Sequence, residues 1–459
     1  MVGTPHALPR WRADASLILR LALPLILTNF AYVSLTTLDI VFLGALEPTD
    51  LAAGGLAIAL FSQFRAMSNG LVTGIGNLAA EAAVRGDERT IATLVPAGLV
   101  LGSAASALFI AVAALLERPL AWLGQDRSVA AGAVQFLTIA APGLLPCAWF
   151  ETLRHFTSGL KLPGPLLGIT LASIALSAAM NYGLALGHWG LPKLGLLGVA
   201  CTTAVVPLFS FAALASVAKR HPKLRGRVSF APWQTTREAL ASVWRLGVPI
   251  AGTYGSEAGF FSVLTLLIGT LGVHALAAQT VVNQVVYIVF MISTGISYSV
   301  SIHISEAWCQ GDAARARRLG YTGLGLGLAV MVAVALPYLA IPSSIIGLFM
   351  HGGAEAHPLA LELAVGGLTI AAMLQLFDCG QAIGNGLLRG AGDTAAPFKL
   401  SLLGYWCIGL PIAYLLGVGL HLGVYGVWAG LTLGLAATAA LMLWAFELRL
   451  GRLKYPAPS

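Results

Sequence analysis

Long apolar runs, separated by short polar segments, constrain the fold of this chain more than any other feature. A helix needs about 20 predominantly apolar residues to cross the hydrocarbon core of a bilayer. Twelve runs are long enough, at residues 16–43, 51–78, 90–116, 129–150, 164–187, 194–218, 240–269, 276–305, 318–349, 360–384, 396–419 and 423–447. Charged residues make up only 10% of the chain, against about 25% in soluble domains, and the mean hydropathy is +0.84. We therefore predict an all-α integral membrane protein with twelve transmembrane helices and no separate soluble domain.

Basic residues are distributed unevenly between the two ends of the predicted spans. Of the 26 Lys and Arg residues, 22 lie towards the side that holds both termini and the even-numbered connections, three lie towards the other side, and Arg65 is left inside a span. The positive-inside rule then places both termini in the cytoplasm, in a plasma (inner) membrane protein. The net charge of +7 therefore does not indicate nucleic acid binding. We expect no cleaved signal peptide, because no apolar run at the N-terminus precedes a small-residue cleavage site.

The two halves of the chain resemble each other. Matching segments follow in the same order at offsets of 225 to 231 residues: RLALP (20–24) with RLGVP (245–249), EAAVRGD (81–87) with EAWCQGD (306–312), and LTIAA (137–141) with LTIAA (368–372). We predict two pseudo-symmetric six-helix lobes, residues 1–220 and 240–459, joined by a basic cytoplasmic linker at 221–239. Six is an even number of spans, so the lobes form a parallel repeat related by an axis along the membrane normal.

Once the charges assigned to the loops and the span ends are set aside, four candidates for buried ionisable residues remain: Asp39, Arg65, Glu257 and Asp378. Each costs about 2.5–3.5 kcal/mol or more at mid-membrane unless it faces a wet or polar interior, so these residues are functional candidates. Arg65 could pair with Asp39 or extend towards an interface. None of the three carboxylates has a carboxylate at the repeat-equivalent position, which indicates different roles for the two halves.

Polar side chains at helical spacing accompany these residues. The sets are Thr28, Tyr32, Thr36 and Asp39; Thr253 and Glu257; Gln279, Asn283 and Tyr287; and Gln375, Asp378, Gln381 and Asn385. Spacings of three and four place each set on one helix face. Four such faces are typical of a central water-accessible cavity, although Thr, Gln and Asn also hydrogen-bond one helix to another. The aromatic members fit flat or cationic compounds and ordinary helix packing equally well.

The remaining residue types indicate neither an enzyme nor a metal centre. The five cysteines form no CxxC pair and lie mostly in apolar runs, so we interpret them as packing residues. A membrane enzyme would need a nucleophile–base pair or a His/acid metal set within the spans, and neither is evident. A channel would not need coupled acids. We expect no cofactor other than a coupling ion.

Several segments together resemble the multidrug and toxic compound extrusion (MATE) family, nearest its NorM branch. They are LALPLILTNFAYVSLTTLDIVFLGAL followed by DLAA, NYGLALGHWGLPKLGLLGVACTTA, LGVPIAGTYGSEAGFF, LAAQTVVNQ and LQLFDCGQAIGNGLLRGAGDT. The resemblance implies two lobes around a central cleft, and export of organic, often cationic, compounds driven by inward Na⁺ or H⁺. It also implies that Glu257 and Asp378 couple the cation, and that Asp39 forms the polar site of the first lobe with Asn181 and Thr203.

The chain departs from the NorM pattern at three positions. Leu374 stands where the pattern has a tyrosine near the cation, Ala278 where it has a histidine, and Ser177 where it has an asparagine. Fewer oxygen ligands around Asp378 would weaken a Na⁺ site, since hard cations need several oxygens. Both Na⁺ and H⁺ therefore remain open as the coupling ion.

These observations predict a monomeric antiporter that works by alternating access. Glu257 and Asp378 would form a buried acidic pair that Na⁺ or H⁺ neutralises, while a cationic substrate competes for the same negative charge. A lipid or lipid-linked precursor flippase of the wider superfamily is the alternative. It would need basic residues around its cavity to hold phosphate, whereas three acids accompany the single Arg65 among the candidates for buried ionisable residues.

Overall fold

The computed structural model describes residues 10–115, 127–162, 164–348 and 358–454, and these form helices joined by short turns. The α-helices are α1 (Arg10–Gly44), α2 (Pro48–Arg85), α3 (Glu88–Ala114), α4 (Arg127–Ala140), α5 (Leu144–Gly159), α6 (Leu166–Met180), α7 (Leu196–Arg220), α8 (Arg237–Gly269), α9 (Val273–Cys309), α10 (Ala313–Ala340), α11 (Pro342–Gly347), α12 (Pro358–Gly390), α13 (Ala395–Leu402), α14 (Leu410–Tyr414) and α15 (Gly423–Lys454). Three π-helical turns continue or link them, at Asn181–Ala185, Leu403–Gly409 and Leu415–Gly419. No β-strand occurs in these ranges, so the all-α prediction is confirmed.

Within the described ranges each predicted span falls on helix, but two ends differ from the prediction by nine residues. The fourth span, predicted to end at 150, continues as α5 to Gly159 after a 3₁₀ turn at Ala141–Gly143, where Pro142 lacks the N–H that a continuous helix needs. The ninth span, predicted to reach 349, ends as α10 at Ala340. A separate short helix begins there at Pro342, because proline does not extend a preceding helix. Residue 349 itself lies outside the described ranges.

The helices are long enough to span a membrane many times. Across the described residues, eleven segments combine the necessary length with sufficient hydropathy. The predicted span that does not meet both criteria is the seventh, α8, which has 33 residues but includes Arg245 and Glu257 among small polar residues that lower its hydropathy. The chain is therefore a multi-pass membrane protein.

Packing divides the chain into two compact units. The first unit is Leu27–Gly255, and the second unit is Met1–Ile26 together with Ser256–Ser459. Helices α1 and α8 each contribute to both units, because the division falls within them. The predicted lobe boundary at 221–239 stays a prediction, since it follows from the repeat and not from packing.

The internal repeat produces equivalent close contacts in the two units. In the first unit, a Cβ on Gly70 of α2 would lie 2.7 Å from the Ala251 Cα of α8. In the second unit, a Cβ on Gly295 of α9 would lie 3.2 Å from the Ile26 Cα of α1. Both residues of one contact are 225 positions from their counterparts in the other. Glycine is required at both sites because the backbones approach too closely for a side chain.

The repeated EAAVRGD and EAWCQGD segments form the same helix–helix turn. Gly86 and Gly311 end their helices with φ of 68° and 70°, in the left-handed region that glycine favours. Asp87 and Asp312 then cap the next helix, each accepting the backbone N–H three residues on, at 3.0 and 2.8 Å. Hydrogen bonds from Thr90 lower the pKa of Asp87. The repeat thus preserves a turn that satisfies two helix ends.

Replacing Gly311 by alanine is expected to lower the free energy of unfolding by about 1 kcal/mol, because alanine at left-handed φ crowds its carbonyl. Thermal unfolding of the purified protein in detergent measures this. Gly325→Ala, within α10 and with no atom near the added Cβ, is the control and should be neutral or stabilising. Equal losses in the two variants would contradict the prediction.

Candidate functional site

Polar side chains from α6, its π-helical extension and α7 surround Asp39 of α1 in the first unit. Asn181 Nδ2 donates to Asp39 Oδ1 at 2.9 Å, and Thr203 Oγ1 contacts Oδ2 at 3.4 Å. Ser177 Oγ lies 3.5 Å from Oδ1, so the serine that departs from the NorM pattern still faces the carboxylate. Asn181 is fully buried, and its side-chain oxygen lacks a hydrogen-bond partner among the described residues. The structure thus brings together the three residues predicted for the first-lobe polar site.

A cavity of about 80 Å³ opens beside this cluster in the first unit. Its lining includes Tyr32, Thr36, Asp39, Arg65, Ser177 and Thr203. The Arg65 guanidinium carbon lies 5.7 Å from the centre of the Tyr32 ring, a cation–π distance. A carboxylate, a guanidinium and an aromatic ring therefore share one small cavity.

Glu257 of α8 and Asp378 of α12 form an acid pair in the second unit. Asp378 is buried and Glu257 is half-buried, and the charge of Glu257 acts on Asp378. Leu374, one turn before Asp378, is 1% exposed within the apolar core and supplies no oxygen. Two carboxylates in an apolar setting repel each other when both are charged, so a proton or metal cation stabilises the pair.

The three predicted glutamine positions are buried in the second unit. Gln279 of α9 and Gln375 and Gln381 of α12 are each 2% exposed or less. Gln375 Nε2 donates to the Met331 carbonyl at 3.1 Å. All three side-chain oxygens lack a hydrogen-bond partner among the described residues. Buried acceptors of this kind usually bind water or an ion.

Among the described residues, no side-chain hydrogen bond joins the other predicted positions to these two clusters. Asn283 is half-buried and Tyr287 is 45% exposed, both on α9. Thr253 belongs to the first unit, where its hydroxyl donates to the Pro249 carbonyl at 3.0 Å. Whether these residues contact a substrate stays a prediction.

A buried charged network on α5 was missed, because the predicted span ended at 150. Arg154 Nε donates to Glu151 Oε2 at 2.7 Å, and His155 Nε2 lies 2.8 Å from Asn69 Oδ1. Glu151, Arg154 and His155 are each 6% exposed or less. The i, i+3 spacing of Glu151 and Arg154 in ETLRHF is the signal that could have revealed this ion pair.

A second buried arginine was also missed, just beyond the predicted end of the tenth span at 384. Arg389 of α12 is 3% exposed. Its Nε donates to Ser301 Oγ at 3.1 Å, and its guanidinium carbon lies 4.9 Å from the Tyr298 ring centre. The four candidates for buried ionisable residues were therefore an incomplete set.

Sulfur and metal chemistry are not evident in the described part of the chain. All five cysteines are free thiols. Within the described ranges, no group of three or more His, Cys, Asp or Glu side chains could hold a metal ion. A Na⁺ site at Glu257 and Asp378 stays a prediction.

Comparison with known families shows that both halves of the internal repeat match the same family model. The MatE family model matches residues 24–183 and 249–415. The two matches begin at Pro24 and Pro249, which are 225 residues apart, the same offset as the internal repeat. Most of the chain is therefore two copies of one family unit.

Curated relatives match over nearly the full length. A protein of Pseudomonas aeruginosa described as "Probable multidrug resistance protein NorM" is 38% identical over 448 residues, which cover 95% of this chain and 90% of that protein. A protein of the same description from Pseudomonas putida is 36% identical, covering 98% of this chain and 97% of that one.

Solved structures share the fold. The eukaryotic MATE transporter AtDTX14 superposes with a TM-score of 0.86 at 20% identity, covering 97% of this chain and 99% of that chain. A MOP superfamily transporter from Pyrococcus furiosus gives a TM-score of 0.85 at 15% identity, covering 96% and 97%. The chain is thus a multi-pass membrane transporter and not an enzyme, and it belongs to the MatE family.

Proposed function

We propose that this chain is a cation-coupled antiporter that exports organic, cationic or amphipathic small molecules. The observation that supports this proposal best is the Glu257–Asp378 pair, two carboxylates that interact within apolar helices. A compact negative site of this kind favours a positive occupant over an anionic one. The description of the relatives as multidrug resistance proteins agrees with such cargo.

Exchange follows from competition for the same negative charge. An external Na⁺ or H⁺ that neutralises the pair displaces a cationic substrate, and a substrate arriving from the cytoplasm displaces the ion. An ion shifts the transporter between states only through different affinities for them. Asp39, held by Asn181 and Thr203, would act as a second charged site beside the first-unit cavity.

The flippase alternative requires basic residues that hold phosphate. Arg154 and Arg389 add two cations to Arg65 within the helices, so the excess of acids is smaller than the sequence suggested. However, Arg154 is paired with Glu151 at 2.7 Å, and the charge that acts on Asp378 is another carboxylate. This local negative charge favours export of cations over transfer of phospholipid.

We also propose a monomer in the plasma (inner) membrane with both termini and the 221–239 linker in the cytoplasm, and with no nucleic acid partner. The uneven distribution of Lys and Arg supports this orientation. The KRHPKLRGR segment at 219–227 would then face anionic headgroups.

Reconstituted liposomes test the proposal. We expect the protein to move ethidium, a permanently cationic dye, against its gradient when either an inward Na⁺ gradient or an inward H⁺ gradient is imposed. Applying the two gradients separately identifies the coupling ion. Absence of dye movement under both gradients would refute the proposal, and translocation of a fluorescent phospholipid in the same liposomes would favour the flippase.

A further inference from the structure

Tyr405 lies on a π-helical turn that is fixed closely against its neighbours in the second unit. The turn spans Leu403–Gly409, between α13 and α14. A Cβ on Gly404 would lie 1.8 Å from the Thr438 Oγ1 of α15, and a Cβ on Gly409 would lie 3.3 Å from the Gly434 Cα. These glycines let the turn pack against α15 without intervening side chains, so the position of Tyr405 is firmly defined. Isolated π-helical turns occur frequently at functional sites.

Two contacts attach this turn to α8 on either side of Glu257. Trp406 Nε1 donates to Ser256 Oγ at 2.9 Å. The Tyr405 ring stacks on Phe260 with a centre-to-centre distance of 5.0 Å and an interplanar angle of 8°. Residues 257 and 260 are one helical turn apart and share a face. The Tyr405 ring therefore lies on the face of α8 that presents the Glu257 carboxyl group.

The hydroxyl of Tyr405 lacks a hydrogen-bond partner among the described residues, although the residue is 0% exposed. A buried hydroxyl left in this state is destabilising. The charges that act on this phenol are those of Glu257 and Asp378. Since a phenol can donate to a carboxylate and its oxygen can also coordinate a hard cation, this hydroxyl complements the acid pair chemically.

We infer that Tyr405 is the third side chain, after Glu257 and Asp378, that supplies an oxygen to the cation site. Its hydroxyl donates to a carboxylate when the pair is charged, and its oxygen contributes to a small monovalent cation when one is bound. Phe260 and the π-helical turn position the phenol, so the oxygen comes from outside α12. The inference rests on the proposed coupling role of the acid pair.

The variant Tyr405→Phe tests this inference because it keeps the stacking on Phe260 and removes only the oxygen. Full-length protein in liposomes is assayed for ethidium transport in two series. With Na⁺ varied at fixed pH, the half-saturating Na⁺ concentration should rise about tenfold or more, the effect of losing one contact to a charged group. In Na⁺-free buffer, the pH of half-maximal transport should become more alkaline, because a carboxylate without a hydrogen-bond donor binds protons more readily.

Tyr338→Phe is the matched control. Tyr338 is 3% exposed, its hydroxyl also lacks a partner among the described residues, and it packs in the same apolar cluster. In the described part of the chain burial alone, and no charged side chain, acts on its phenol, so its ion dependence should match the wild type. Equal shifts in both variants would show that general packing is responsible and would overturn the inference.

The variant Glu257→Gln, measured in parallel, distinguishes a failure of the Tyr405 inference from a failure of the proposed coupling function. If Glu257→Gln loses ion dependence while Tyr405→Phe matches the wild type in both series, the role of Tyr405 is refuted and the coupling role of the acid pair stands. If Glu257→Gln itself behaves as wild type, the coupling role fails. Stabilisation of the detergent-purified protein by added Na⁺ gives a second measurement that does not require transport, and Tyr405→Phe should reduce it if Na⁺ is the ion.

Discussion

Replacing Asp378 by asparagine is expected to reduce ion-driven export to the level of liposomes without protein. Asparagine has nearly the same shape but carries no charge, so the site resembles a pair already neutralised. Glu257→Gln should have the same effect, since the two carboxylates interact and exchange requires binding and release of a cation at both. Ethidium movement under a Na⁺ or H⁺ gradient in reconstituted liposomes measures the loss.

The control for this prediction is Glu362→Gln. Glu362 lies on α12, as Asp378 does, but its side chain is exposed, so removal of its charge should leave export unchanged. All variants need comparable yield and monodispersity in detergent, because loss of folding would mimic loss of coupling. Ion-driven export at the wild-type rate in either Asp378→Asn or Glu257→Gln would exclude the acid pair as the coupling site.

The helices could be predicted from the sequence because a bilayer sets the length of an apolar run. The ends of the helices were less predictable where charged residues are buried within the folded protein. Glu151 and Arg154 lower the hydropathy of their segment, so the predicted span ended before them, yet both lie inside the first unit. Hydropathy records composition and cannot show that a helix end is covered on all sides.

The carboxylates of the candidate site could be predicted because charged residues are rare in apolar spans. The Tyr405 hydroxyl could not, because it belongs to an apolar segment. Asp39, Glu257 and Asp378 are conspicuous in their spans, and the family resemblance paired Asp39 with Asn181 and Thr203. Tyr405, by contrast, lies in LGYWCIGLP with no periodic polar neighbour. Its orientation depends on the π-helical turn, where the extra residue per turn changes which side chains share a face.

The sequence likewise could not show which of the 53 glycines lie at close contacts between helices. Gly70 and Gly55 lie on the same helix, α2, and look equivalent in sequence. The structure separates them, since a Cβ on Gly70 would lie 2.7 Å from Ala251 Cα and 2.8 Å from Ala251 N, while nothing lies within 4 Å of a Cβ on Gly55. Gly247 of α8 is similarly constrained from the opposite side, with a Cβ 1.9 Å from the Leu71 carbonyl oxygen.

The variant Gly70→Val is accordingly expected to lower the free energy of unfolding by about 3 kcal/mol or more, at the upper end of what overpacking costs. The added side chain meets backbone atoms of α8 that cannot rotate away, so the N-terminal half of α8 must move off α2. Gly55→Val on the same helix controls for the helix propensity of valine and should change stability by less than about 1 kcal/mol. Thermal unfolding and monodispersity of the two detergent-purified variants provide the comparison. Equal stability in the two variants would mean that α2 and α8 do not pack at this distance in the purified protein.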